Sequence, residues 1–542
     1  MGSALYLSGY LTLKLLQLDS RMLRWDSYLG YLRALDLPQV RPYVGRIQLA
    51  GVIGLALPMS AGLALLVPLF RSPRKSIHGD ARFARRSDLA RRGLFKPSPD
   101  GIIVGRFNGR LLRLAGQQSV VLAAPTRSGK GVGVVVPNLL EYRESVVVLD
   151  IKQENFALTS GWRASQVQAV FLFNPFAEDG RTHRWNPLTY VSADPAFRVS
   201  DLMGIAAMLY PDGADEQKFW VSQARNAFLA FALYLLENQD DAQRSGFPTT
   251  LARPSLGALY RLSTGDGSDL KSHLRSLAST GFLGTNARAA FGNLLSQADD
   301  TLASILGTFK EPLNAWINPV LDAATSADDF LLTDLRRQRM TIYVGIQPNK
   351  LAESRLILNL FFSQVINLNT RTLPQDDVGL KHQCLLLMDE FTAIGKVDII
   401  ASSIGYMAGY NLRLLPIIQS MAQLDATYGK DVSRTILTNH ALQILFAPRE
   451  QQDANDYSDM LGYTTVRRHN VTRGRDVSRS ESHERRALML PQELKALGAD
   501  RQVVLCEGMP HPVLCDKIRY YRDRHFTARL LEKTVVPRLA IR

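Results

Sequence analysis

The chain is 542 residues long, 46% hydrophobic and 21% charged, with a formal net charge of +14. Those proportions exclude a disordered or fibrous protein, the length exceeds what one hydrophobic core serves, and the basic excess favours an anionic partner such as nucleic acid or a lipid surface. Three cysteines, Cys384, Cys506 and Cys515, lack ligand spacing with histidines, so a zinc site is not indicated and a reducing cytoplasm fits.

Taken in order, residues 4–18 form a mostly apolar stretch interrupted by Lys14, a candidate first membrane span without a cleavage site for a secretory signal. Residues 49–70, LAGVIGLALPMSAGLALLVPLF, carry no charge and have the length of a bilayer-crossing helix. Arg71, Arg74, Lys75, Arg82, Arg85, Arg86, Arg91 and Arg92 follow, and such a basic flank keeps the downstream chain in the cytoplasm. Residues 1–75 are therefore read as an anchor in the lipid bilayer.

Beyond residue 100, apolar runs alternate with helical patterns. Strands are expected at 120–123, 145–150, 169–173, 340–346, 384–389, 412–418 and 442–447, with helices at 132–142 and 354–367 among those between them. Continuous apolar strands separated by helices predict an α/β fold with a mostly parallel sheet covered on both faces. Between 190 and 330 the strand signal vanishes and helical stretches such as 219–238 and 287–307 dominate, so an inserted all-α domain is expected there. The nucleotide-binding part would then run over 76–189 and 331–542. Residues 466–486 are rich in Arg and Ser and poor in apolar residues, the composition of a mobile loop.

Two motifs carry chemistry. Ala124-Pro125-Thr126-Arg127-Ser128-Gly129-Lys130-Gly131 lies between an expected strand and an expected helix, where backbone N–H groups and a helix dipole cradle polyphosphate and Lys130 reaches the terminal phosphates. The spacing departs from G-x-x-x-x-G-K-[ST] at Ala124 and at Gly131, where a hydroxyl would ligate Mg²⁺. A plain strand-to-helix turn can match such a short pattern, so a second motif must decide. Cys384-Leu385-Leu386-Leu387-Met388-Asp389-Glu390 supplies it: Asp389, on a strand able to lie beside 120–123, suits Mg²⁺, and Glu390 suits a general base acting on water. Gln419 ends the next expected strand and can orient that water or sense the terminal phosphate. Arg413, Arg434 and Arg449 are candidates for an arginine contributed by a neighbouring subunit.

With these residues in view, the chain resembles the coupling proteins of type IV secretion, of the TraG/VirD type. The resemblance runs through His78-Gly79-Asp80-Ala81-Arg82-Phe83-Ala84, the loop at 124–131, Val148-Leu149-Asp150-Ile151-Lys152-Gln153-Glu154 and Asn174-Pro175-Phe176. It continues through Trp185-Asn186-Pro187-Leu188, Phe219-Trp220, Asp389-Glu390-Phe391 and Gln419-Ser420-Met421-Ala422-Gln423-Leu424. Gly-Lys-Gly is that family's own form of the loop. The resemblance implies a RecA-like P-loop NTPase in the bacterial inner membrane, a homo-hexamer using ATP and Mg²⁺. Its partners would be single-stranded DNA in a relaxosome or secreted effector proteins, together with inner-membrane components of the secretion machine. A general DNA translocase of the same motor superfamily and a nucleotide-gated cargo receptor that does not pump are the competing readings.

Overall fold

The computed structural model describes residues 2–70, 77–212, 215–247, 251–265, 267, 269–473 and 477–541. They fall into two compact units, 1–77 and 78–542.

In the first unit, the helix Val44–Phe70 contains the run expected at 49–70, and Arg41–Ala64 is long and apolar enough to cross a membrane. Leu49, Val52, Leu55, Leu57, Met59 and Leu63 all point outward. The stretch expected at 4–18 forms the helix Gly2–Leu15, whose 14 residues reach only about 21 Å, short of a bilayer core of about 30 Å. Close approach of the two helices depends on Gly54: a Cβ there would lie 2.7 Å from Ser8 Cα. The hydroxyls of Ser8 and Thr12 donate to the carbonyls of Ala4 and Ser8, which satisfies them within their own helix. Arg71, Arg74 and Lys75 lie outside the described residues.

The second unit is built on one eleven-stranded sheet, its strands in the order 110–114, 102–107, 513–516, 501–506, 442–445, 120–123, 412–418, 384–388, 145–150, 340–345 and 169–173. The seven strands expected from the sequence are its parallel part: β3 (Val120–Ala123), β4 (Ser145–Asp150), β5 (Ala169–Phe173), β6 (Met340–Gly345), β7 (Cys384–Met388), β8 (Leu412–Ile418) and β9 (Leu442–Leu445). Nearly every residue of these strands is buried, because helices cover both faces. An antiparallel extension not anticipated above follows on the β9 side: β1 (Ile102–Phe107), β2 (Arg110–Leu114), β12 (Arg501–Cys506) and β13 (Val513–Asp516).

Between β5 and β6 the described residues hold helices and no strand. Pro195–Leu209, Lys218–Ser245, Leu256–Thr264, Leu270–Ala278, Thr285–Leu295 and Asp299–Leu313 are the principal ones. The stretch expected as one helix at 287–307 is two, broken at Ser296-Gln297-Ala298 before Asp299 and Asp300 open the second. Phe228, Phe231, Phe291 and Phe309 from these helices belong to the same buried core as Phe173 at the end of β5, Trp185 after it and Phe361 of the helix Leu351–Asn369.

Residues 474–476 of the expected loop lie outside the described residues; residues 466–473 and 477–486 are not a loop. They lie in an antiparallel ribbon of β10 (Tyr463–Arg473) and β11 (Val477–Ala487), in register from Tyr463↔Ala487 to Arg473↔Val477. Apart from Ala487, the ribbon side chains at 463–468 and 482–486 are half-buried or exposed, so few apolar residues are needed there; Arg468 pairs with Glu484 at 3.2 Å and Arg485 stacks 3.5 Å from the Tyr463 ring.

The last residues fold back over the sheet's helices. Thr534 N–H donates to Ser160 Oγ at 3.1 Å, Thr182 N–H to Pro537 O at 3.1 Å, and Leu539 N–H to Gly180 O at 2.8 Å. A Cβ on Gly161 would stand 2.0 Å from the backbone oxygen of Glu532. Gly161→Ala is therefore expected to displace this segment at a cost of about 1–3 kcal/mol, read as a lower melting temperature and faster proteolysis near residue 532.

Candidate functional site

Strand register sets the site. Across the sheet Ala123 faces Ile418 and Leu445, Met388 faces Pro416, and Leu149 faces Met388. The phosphate-loop turn, Gln419, Asp389 and Asp150 therefore all leave the sheet along its carboxyl edge, the rim where open α/β sheets bind ligands. Strand β7 is not adjacent to β3, as the sequence allowed; β8 stands between them and carries Gln419 into the gap. Two strand spacings, about 10 Å, then separate the turn from the acids, and the long side chain of Lys130 spans them. Its Nζ lies 3.0 Å from Asp389 Oδ1 and 3.1 Å from Glu390 Oε1, across 260 positions of sequence.

The loop 124–131 turns sharply, with Arg127 at φ +59° and Gly129 at φ +87°. Ala124 and Pro125 are buried at its root, while Thr126, Arg127 and Gly129 are exposed. Ser128 Oγ donates to Pro125 O at 2.5 Å, which fixes the turn internally. Thr126 Oγ1 donates to Gln419 Oε1 at 2.9 Å. Beyond Lys130 the chain enters a wide helical turn over Gly131–Val135, closed by Val136 N–H donating to Gly131 O, and continues directly into the helix Val136–Glu141. No heavy atom approaches within 4 Å of a Cβ built on Gly131, so a side chain would fit there.

Thr126, Arg127, Gly129, Lys130, Gly131, Asp389 and Glu390 line a cleft of about 450 Å³ shared with Asp150, Lys152, Asn155 and Tyr520, to which the sequence assigned no role, while Gln419 reaches it only through Thr126. Asp150 ends β4 and accepts from the backbone N–H of Phe156 at 2.8 Å and of Asn155 at 3.4 Å, so it caps the helix Glu154–Ser165. Burial raises its pKa to about 7 against those hydrogen bonds, and the neighbouring Asp389 adds to the rise. Burial likewise raises the Asp389 pKa, Lys130 opposes it, and Glu390 reinforces it. Asp389 Oδ1 is closed to solvent and, among the described residues, has no aligned hydrogen-bond donor, since its contact with Lys130 is a charge pair. A buried carboxylate oxygen already facing a cation, beside a second acid, suits a hard, oxygen-preferring ion such as Mg²⁺.

Non-glycine residues with positive φ gather on this rim: Arg127, Gln153 at φ +56° and Glu390 at φ +60°. Strain of that kind concentrates where the fold must aim a functional group. Of the three arginines proposed to act across a subunit boundary, Arg413 is eliminated. It is wholly buried and donates to the carbonyls of Asp100 at 2.6 Å, Gln118 at 2.9 Å and Leu114 at 3.2 Å. Arg434 and Arg449 are exposed.

The sequence model of the family described as "Type IV secretory system Conjugative DNA transfer" matches residues 78–541. Protein VirD4 of Agrobacterium fabrum is 30% identical over 499 residues, spanning 89% of this chain and 72% of the relative. Conjugal transfer protein TraG of Escherichia coli is 27% identical over 546 residues, spanning 90% and 84%. Among solved structures, the conjugative coupling protein TrwB in its unbound form superposes with a TM-score of 0.58 at 18% identity, covering 84% of this chain and 97% of that one. TrwB in complex with ADP and Mg²⁺ gives 0.56 at 18% identity, covering 85% and 98%. A RecA-like fold with the lysine turn and paired acids on one rim, and a family match over nearly all of the second unit, lead to one conclusion: the chain belongs to the conjugative DNA-transfer family of type IV secretion, the coupling proteins.

Proposed function

We propose that the chain is an inner-membrane coupling ATPase, which recruits a relaxase-DNA complex or effector proteins to a type IV secretion system and drives their transfer by ATP hydrolysis. The observation that carries this reading is Lys130 Nζ lying 3.0 Å from Asp389 and 3.1 Å from Glu390 at the mouth of one cleft. Binding a triphosphate asks Lys130 to exchange those carboxylates for phosphate oxygens, leaving both acids free for other work. The loop from Ala124 to Gly131 would wrap the phosphates with its N–H groups. Mg²⁺, when bound, neutralises charge on the phosphate oxygens and holds them in line, and Asp389 is the carboxylate suited to hold it, directly or through water. Glu390 would take the proton of the attacking water. Gln419, already joined to Thr126, would orient that water and report the terminal phosphate to the loop.

A homo-hexamer with ATP between neighbours would let Arg434 or Arg449 of one subunit complete the site of the next. The long apolar helix supports a membrane anchor, and the net charge of +14 supports contact with DNA phosphates. Residues 76–189 and 331–542 would form the nucleotide-binding domain and 190–330 the all-α domain that selects cargo. The full chain is expected to hydrolyse ATP, and single-stranded DNA is expected to raise the steady-state rate. Nucleotide binding without any turnover would favour a gated receptor instead.

A further inference from the structure

The cleft has two chemically distinct ends. Lys130, Asp389, Glu390 and Asp150 make one end polar; Val136, Leu158 and Tyr520 make the other apolar. Tyr520 comes from the C-terminal segment, far in sequence from every motif. Its ring packs against the buried cluster of Ile103, Val136, Leu140, Ile518 and Phe526, and stands edge-on to Tyr521 with centroids 5.7 Å apart. Only half buried, it leaves the rest of its surface to the cleft.

The segment that presents Tyr520 is fixed to the phosphate loop. Lys517 Nζ donates to Ser128 O at 3.4 Å and stands 3.9 Å over the Phe446 ring. Three residues past Tyr520, the Asp523 carboxylate pairs with Arg106 on β1 and accepts from His525 N–H at 2.9 Å. Both flanks of the aromatic are therefore held, one on the turn that binds phosphate and one on the sheet. An aromatic held in that way at the apolar end of a phosphate cleft has one evident use.

We infer that Tyr520 is the surface on which the purine base of the bound nucleotide stacks, a specificity-determining residue supplied by the C-terminal segment. The inference rests on the nucleotide reading above. Stacking on an aromatic face needs no hydrogen-bond readout, so the site should prefer a large base over a small one while distinguishing adenine from guanine only weakly.

The test measures binding of ATP, CTP and inorganic tripolyphosphate to the full chain in detergent. Tyr520→Ala should weaken ATP about tenfold and leave tripolyphosphate, which has no base, within about twofold, whereas Tyr520→Phe should behave like the parent on all three. The parent should bind ATP more tightly than CTP. Equal losses for ATP and tripolyphosphate, or no loss for ATP, would overturn the inference while the nucleotide reading stands; a parent chain that binds neither ATP nor tripolyphosphate would overturn both. Should Tyr520→Ala fail to fold, Tyr520→Trp keeps the question open to measurement. Its added indole emission should be quenched by ATP and untouched by tripolyphosphate, and emission that ignores ATP would overturn the inference.

Discussion

Glu390→Gln is expected to lower ATP turnover by about 10²–10⁴-fold while ATP remains bound, the range spanned by loss of a positioned general base. Glu390 follows Asp389 at the end of β7 in a left-handed conformation that turns its carboxylate back toward Lys130. Glutamine keeps the shape and an oxygen able to accept from Nζ, and Lys130 keeps its charge pair with Asp389. What it loses is basicity, which only the transition state uses. Single-turnover hydrolysis and equilibrium ATP binding, measured on the same preparation, separate the two effects. Turnover within about twofold of the parent would mean that another group activates the water.

Lys130→Ala acts at the opposite stage. A charged hydrogen bond to phosphate is worth about 1.5–3 kcal/mol, so affinity for ATP should fall by about 10- to 150-fold. A second consequence falls on the paired acids. Asp389 and Glu390 now share one ammonium, and its removal leaves two neighbouring carboxylates with nothing between them. Asp389, whose pKa burial already raises, should then hold a proton more firmly. ATP binding by calorimetry checks the first effect; Lys130→Ala and the parent binding ATP equally would remove the lysine from the site.

The parallel half of the fold was legible because its strands are buried on both faces and so are written as unbroken apolar runs, Val146 to Leu149 and Leu385 to Met388 among them. The antiparallel extension was not, since β1, β2, β12 and β13 mix polar residues or glycine into their pattern. One cue went unread: Asn108-Gly109 joins β1 to β2 with both residues at positive φ, +47° and +78°, the pair that a tight hairpin requires. In the ribbon of β10 and β11, cross-strand charge and cation–π pairs take the place of an apolar face, so composition alone read it as a loop. Lys130 was found by its turn motif and Asp389, Glu390 and Gln419 by their positions at strand ends, and the register of β3, β8 and β7 brings them to one rim. The order of those strands was not readable, because no local pattern says that β8 lies between β3 and β7. Arg413 looked like an available cation, yet its three carbonyl partners come from a stretch more than 290 positions away. Tyr520 had no motif around it at all, and only the folding back of the C-terminal segment brings it to the cleft.

The central claim is that the lysine turn and the paired acids close on a single metal-bound triphosphate. A structure of the full chain with Mg²⁺ and a non-hydrolysable ATP analogue tests it most directly. The terminal phosphate should lie within hydrogen-bond reach of Lys130 Nζ, with the metal on the Asp389 side and Glu390 released from the lysine. A nucleotide seated elsewhere, with Lys130 still paired to both carboxylates, would contradict the account.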